Sequence, residues 1–283
     1  MLGYVCKYTP MELFEAMDTE ITRLEPSVTD FNHADTLMHA NICSYTKAVL
    51  EDVMEHDYEG VILTTCCDSI RRLYDTLKSQ FPDKFFFLLD IPRKFNDFAV
   101  ALYERQLKQM LTEYEAFSGK TLDLKRFVSM MQNKAALKKQ ENTRMSASAV
   151  SEKGNGQKLN IGIMGARCNN EIRQLLVDRG ANLLFDLTCT GLARDFSITE
   201  DQILHSYAAA LLNQIPCMRM LKAANREHFL DGFTDRLDGI IYHTVKFCDS
   251  YSYEYADFRQ RLDLPILLVE TDSTRQCAGQ VRT

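Results

Sequence analysis

The stretch EGVILTTCCDS, residues 59–69, decides the fold, and DGIIYHTVKFCDS, residues 238–250, repeats it. Each opens on an acid–Gly pair, runs through a short apolar segment and a Thr, and closes on Cys-Asp-Ser. An apolar run of this length, bounded by turn residues and followed by helical periodicity, reads as a buried strand of a parallel sheet. In both copies a cysteine then falls just past the strand's carboxyl end.

Working outward, strand-length apolar runs alternate with helical faces. GYVCKYT (3–9) reads as a first strand, followed by a helix with Pro10 at its start and Thr9 as N-cap. ITRLE (21–25) reads as a strand, 44–56 as a helix, GVILTT (60–65) as a strand, and Ile70, Leu73, Tyr74 and Leu77 as one helix face. FFFLLDI (85–91) is a buried strand, and 96–141 is helical and increasingly polar. KKQENTRMSASAVSEKGNGQK (138–158) is rich in charge, Ser and Gly, a linker composition. The alternation then restarts: strands at 159–165, 182–188, 239–245 and 265–271, and helices at 169–179, 199–213, 223–237 and near 252–262. The expected fold class is therefore α/β: two doubly wound parallel-sheet, Rossmann-like domains with a cleft between them. The N-terminal domain covers 1–137, with a helical extension, the linker 138–158, and the C-terminal domain 159–283.

Composition narrows the function. At 46% apolar and 25% charged, the 283 residues are ordinary for a soluble globular protein. A net charge of −6, from 33 basic and 39 acidic residues, gives no footprint for nucleic acid. No apolar run approaches the ~20 residues that cross a bilayer. MLGYVCKYTPMELFEAM lacks the basic start and long apolar core of a secretory signal, so the expected location is cytoplasmic.

The chain has nine cysteines, which a reducing compartment keeps out of structural disulfides. Taken singly, each reads equally well as a small buried hydrophobe. No CxxC or HxxxH occurs, so any metal site is assembled from distant segments. In doubly wound sheets, ligands bind beyond the carboxyl ends of the strands. Cys6, Cys67, Cys189 and Cys248 fall at that edge, and Cys43 lies just before its helix. A helix start favours a thiolate. Several thiolates converging on one cleft suit a ligand set, iron–sulfur or zinc.

Seven stretches, in order, carry a family resemblance: GYVCKYTPMEL (3–13), ANICSYTK (40–47), TTCCDSIRRLYD (64–75), LTCTGLARDF (187–196), YAAALLNQIPCMRM (207–220), DGIIYHTVKFCDSYSYEY (238–255) and LPILLVETDSTRQCAGQVRT (264–283). Together they resemble the 2-hydroxyacyl-CoA dehydratase family, which includes the 2-hydroxyglutaryl-CoA dehydratase D-component, benzoyl-CoA reductase cluster subunits and double-cubane cluster proteins. The resemblance implies a [4Fe-4S] cluster on Cys43, Cys67 and Cys248, with one iron left open. It implies a hydro-lyase in which an ATP-dependent activator protein delivers a low-potential electron, and a hydroxyacyl-CoA loses water through a ketyl radical. It also implies a paralogous cluster subunit as heterodimer partner, or a homodimer. The alternative within the family is a double-cubane [8Fe-9S] cluster that takes six cysteines, adding Cys6, Cys189 and Cys217, in an ATP-driven reductase of small molecules. A third reading is a non-catalytic iron–sulfur scaffold or electron carrier.

Other residues are weighed beside these. Asp68 and Asp249 read as helix caps. Cys66 and Cys168 read as core. Glu270 and His243 are candidates for proton handling, each matched by a structural role. Arg71 and Arg72 either offset cluster charge or form a solvated face. GIMGARCNNE (162–171) lacks GxGxxG, which speaks against dinucleotide binding.

Overall fold

The protein is described by a computed structural model covering residues 1–135, 158–168, 170–191, 198–221 and 224–275. The expected linker, 138–158, lies outside the described residues except for Lys158. Cys277 lies outside them too.

Two four-stranded, all-parallel sheets carry the chain. The first contains β1 (Leu2–Tyr4), β2 (Ile21–Arg23), β3 (Gly60–Thr64) and β4 (Phe85–Leu89), in the order β2-β1-β3-β4. The second contains β5 (Asn160–Gly165), β6 (Asn182–Thr188), β7 (Gly239–Val245) and β8 (Ile266–Thr271), in the order β6-β5-β7-β8. The two halves thus share one strand order, and both are α/β and Rossmann-like. Every residue of β3 is buried, as expected of a strand covered on both faces. In this order the crossovers change direction between β1 and β3, and again between β5 and β7. Those are the switch points at which such sheets open a crevice for ligands.

The helices are α1 (Met11–Ala16), α2 (Asn32–Leu37), α3 (Ser44–Glu55), α4 (Asp68–Gln80), α5 (Asp97–Ser118), α6 (124–135), α7 (Asn170–Asp178), α8 (Ile203–Leu212), α9 (Ala224–Asp231) and α10 (Asp249–Arg261). On α4, Ile70, Leu73 and Leu77 form the buried stripe. The helical stretch expected over 96–141 is broken. Asn96 caps α5 by accepting the Ala99 N–H at 2.8 Å, and Gly119, at φ 71°, ends it in the left-handed conformation. The first strand is shorter than 3–9, because the chain turns at Cys6, whose carbonyl accepts the Thr9 N–H at 2.9 Å. Pro10 holds the N-cap position of α1 without a side-chain capping bond.

Gly165 ends β5 at φ 104°, where a Cβ would sit 2.1 Å from the His243 carbonyl oxygen. Only glycine lets the two central strands of the second sheet lie that close before the chain turns toward Arg167.

The core does not stop at the boundary between the halves. Helix α8, from the second half, packs on α5 and places Tyr207, Ala208, Leu211 and Leu212 in one cluster with Tyr103, Leu107 and Phe127. The Phe127 and Tyr207 rings meet edge to face at 5.1 Å. The Tyr207 hydroxyl donates to the buried Glu12 carboxylate at 2.6 Å.

Candidate metal centre

Three helices begin on a cysteine: Cys43 is the N-cap of α3, Cys67 of α4 and Cys248 of α10. The apolar runs fix this placement. Each of β3 and β7 ends, a short turn follows, and the amphipathic helix starts at the Asp after the cysteine. Asp68 and Asp249 therefore sit in the first helical turn, one residue past the N-cap position, which the cysteines hold; the Asp68 side chain is fully exposed. The α3 start docks onto the β7–α10 turn: the Ser44 N–H and hydroxyl both donate to the Lys246 carbonyl, at 3.1 and 3.0 Å. This brings Cys43 from one half beside Cys248 from the other. Phe247, immediately before Cys248, holds φ 63°, a costly conformation for an aromatic residue of the kind that gathers at functional sites.

One cavity of about 110 Å³ collects the sulfur. Cys6, Cys43, Cys66 and Cys67 line it from the first half, and Cys189, Cys217 and Cys248 from the second. All three residues of the smaller implied set, and all six of the larger, are on this wall. Cys66, expected in the core, lines it as well, because residues 65–66 form the turn before α4 and present both adjacent cysteines to the same space.

The sulfurs feel one another. The Cys43 thiol is pushed down by a hydrogen bond from Cys248 and, against its burial, by the N–H groups of Thr46 and Tyr45 at the helix start; Cys248 is pushed up. The neighbouring pair behaves alike: Cys66 is pushed down by the Cys67 thiol and by Arg219, and Cys67 is pushed up. Burial, followed by the charges of Cys66 and Cys217, raises Cys6. Burial, then Cys217, pushes Cys189 up to about 11 while its thiol meets the Tyr251 hydroxyl at 2.8 Å.

Three cations line the same wall. Arg167 donates from Nη1 to the Leu24 carbonyl at 3.0 Å and from Nη2 to the Val5 carbonyl, and stacks 4.1 Å from the centre of the Tyr45 ring. Its nearest carboxylate, Glu25, is 3.8 Å away and outside the cavity. Lys7 Nζ donates to the Ile215 carbonyl at 2.5 Å. Arg219 Nη2 reaches the Thr65 carbonyl at 3.4 Å. Sequence patterns did not single out these three, although Lys7 and Arg219 stand in the quoted stretches around Cys6 and Cys217.

The donor chemistry can be tested against a cluster. Among the described residues, no Asp, Glu or His lines this cavity. Seven sulfurs and three cations, in a wall otherwise made of uncharged residues, suit a negatively charged, thiolate-bound core, because buried cations are costly without compensating charge. Among the described residues, no three His, Cys, Asp or Glu side chains converge on a point where a single metal ion would sit. Sulfurs spread around a cavity fit a polynuclear iron–sulfur core better than lone zinc.

The remaining candidates lie elsewhere. His243 is 2% exposed and lines a separate cavity of about 60 Å³ with Thr271, Ser273 and Arg167. Its Nε2 pairs with the Thr271 hydroxyl at 3.0 Å, and burial pushes the imidazole from its ordinary 6.5 down to about 4. Glu270 is exposed on the edge strand β8 and lines neither cavity. Cys168 is fully buried against Ile163 and Ile172, as expected for core. Arg72 pairs with Asp75 at 2.8 Å on the exposed face of α4.

Among curated proteins, nothing matches the chain. A family model described as 2-hydroxyglutaryl-CoA dehydratase, D-component, matches residues 6–143 and 130–283, which together span nearly the whole chain. Among the described residues, no helix is long and apolar enough to cross a membrane. With both parallel sheets in place, the chain belongs to the 2-hydroxyglutaryl-CoA dehydratase D-component family.

Proposed function

We propose that this chain is the iron–sulfur component of an ATP-driven reductive system of the dehydratase type. The single observation that carries the reading is the meeting of seven cysteine sulfurs from both halves in one cavity. Cys43, Cys67 and Cys248 hold the core from three helix starts. When bound, the core supplies a low-potential electron, the chemistry that lets a hydroxyacyl-CoA lose water through a ketyl radical. The protein's own part is positioning and charge. Amide N–H groups at the start of α3 face the Cys43 sulfur, and Lys7, Arg167 and Arg219 offset negative charge. Ile70, Val245, Tyr45 and Tyr251 keep water from the wall. An ATP-dependent activator is the electron donor in this reading. A second cluster subunit, or a second copy, completes the enzyme.

One observation favours the double-cubane reading over the smaller cluster: Cys6, Cys189 and Cys217 share the wall, which gives all six sulfurs that the larger core takes. Anaerobic reconstitution followed by iron analysis separates the readings: about eight irons per chain for the double cubane, about four for the cubane. Protein that stays colourless and iron-free would sink both. Hydroxyacyl-CoA dehydration and small-molecule reduction, each assayed with activator and ATP, then identify the substrate class.

A further inference from the structure

Cys189 is held differently from the three cysteines at helix starts. It stands on the turn after β6, which the Gly191 N–H closes on the Thr188 carbonyl at 3.3 Å. Its sulfur meets a side chain, the Tyr251 hydroxyl, at 2.8 Å. Tyr251 is the third residue of α10, the helix that starts at Cys248, and it is only 4% exposed. Its backbone N–H faces the Cys248 sulfur. One residue therefore touches two sulfurs of the same cavity. Its amide serves a member of the smaller implied set, and its hydroxyl serves one of the three that only the larger set adds.

Tyr251 is itself fixed from behind. The hydroxyl of the buried Tyr242, on β7, lies 3.2 Å from the Tyr251 carbonyl and donates to the buried Glu254 carboxylate at 2.5 Å. The direction of the contact with Cys189 depends on where the proton is. As a thiol, Cys189 donates to the Tyr251 oxygen. A thiolate has no proton to give, so the contact survives ligation only if the Tyr251 O–H turns toward the sulfur. A hydroxyl rotates to suit its partner, so this reversal moves no heavy atom. Hydrogen bonds to a ligating sulfur draw charge from it and ease the addition of an electron.

We propose that Tyr251 is a positioning residue for the six-sulfur core: its hydroxyl donates to the Cys189 thiolate, holds that sulfur in register with Cys248 and raises the reduction potential of the core. This role rests on the larger, double-cubane reading of the cavity. Tyr251→Phe in the full chain, reconstituted anaerobically, tests it. The substitution removes one oxygen and keeps the ring, so iron content and circular dichroism stay those of the parent. A hydrogen bond to a charged group is worth about tenfold in an equilibrium. At 59 mV per tenfold for one electron, its loss lowers the midpoint potential by about 60 mV. Tyr255→Phe is the control: on the same helix, with its ring 5.4 Å from that of Tyr242, it leaves the potential unchanged. After exchange into deuterium oxide, electron–nuclear double resonance of the reduced parent shows an exchangeable deuteron coupled to the core that Tyr251→Phe lacks, a signature that altered packing does not produce. Should the variant hold less iron, the iron-free protein decides. The Raman S–H band of Cys189, assigned with Cys189→Ala, is displaced by the hydrogen bond in the parent and moves to the free-thiol position in Tyr251→Phe. A band that does not move overturns the proposal. A parent with about eight irons whose variant stays within about 20 mV, a third of a tenfold step, overturns the proposal alone. A parent with about four irons, or none, overturns it together with the larger-core reading.

Discussion

Replacing Arg219 by Gln tests the charge logic of the sulfur cavity. The guanidinium touches the Cys66 sulfur and acts on Cys6, Cys67 and Cys217. Unit charges at contact, with an effective dielectric constant near 20, attract by about 4 kcal/mol. Charge on a cluster is spread over many atoms, so about half of that, about 2 kcal/mol, is a fair figure for one added electron. At 59 mV per tenfold change for a one-electron couple, the substitution lowers the midpoint potential by on the order of 80 mV. Arg219→Lys retains most of the native value, because the charge stays. An anaerobic redox titration followed by electron paramagnetic resonance measures the shift. A variant that binds full iron yet stays within about 20 mV of the parent, a third of a tenfold step, refutes the reasoning.

Cys248→Ala removes a helix-start sulfur and should abolish most visible absorbance after reconstitution, while Cys168→Ala, in the core away from the cavity, keeps the spectrum and costs about 1 kcal/mol of stability. His243 gives a pH signature. Its folded-state pKa, about 4, is below the ordinary 6.5, so on acidification the unfolded chain takes the proton first. Stability is therefore whole above pH 6.5 and falls between there and pH 4, by about 3 kcal/mol in full. Urea midpoints at pH 7 and pH 4.5 should diverge less in His243→Gln, and equal divergence would count against a buried neutral imidazole. Tyr207→Phe takes a charge-assisted hydrogen bond from Glu12 and should cost about 2 kcal/mol in chemical denaturation.

Much of the fold could be read from local pattern. The strand 239–245 is found as Gly239–Val245, and 60–65 shortens only to Gly60–Thr64, because buried parallel strands are continuous apolar runs between sharp ends. Helix α2 left no such trace: NHADTL lacks an apolar stripe. The Glu51 carboxylate of α3 holds its start instead, accepting the Ala34 N–H at 2.7 Å and pairing with His33 at 2.7 Å. The cysteines were legible because a strand end and a helix start each leave a mark in the sequence. Arg167 was not, for its importance comes from reaching across to the Val5 and Leu24 carbonyls, more than 140 residues away in the chain. Cys66 was misread because adjacency along a chain implies opposite faces only in a regular strand, and residues 65–66 are a turn.

The packing of α8 against α5 bears on how this polypeptide can be divided. A gene split near codon 150 would yield a leading fragment with Tyr103, Leu107 and Phe127 stripped of their cover, and a trailing fragment carrying a greasy helix with nothing to lie on. Expressed separately, neither piece should stay in solution; produced together, they should find each other and reassemble.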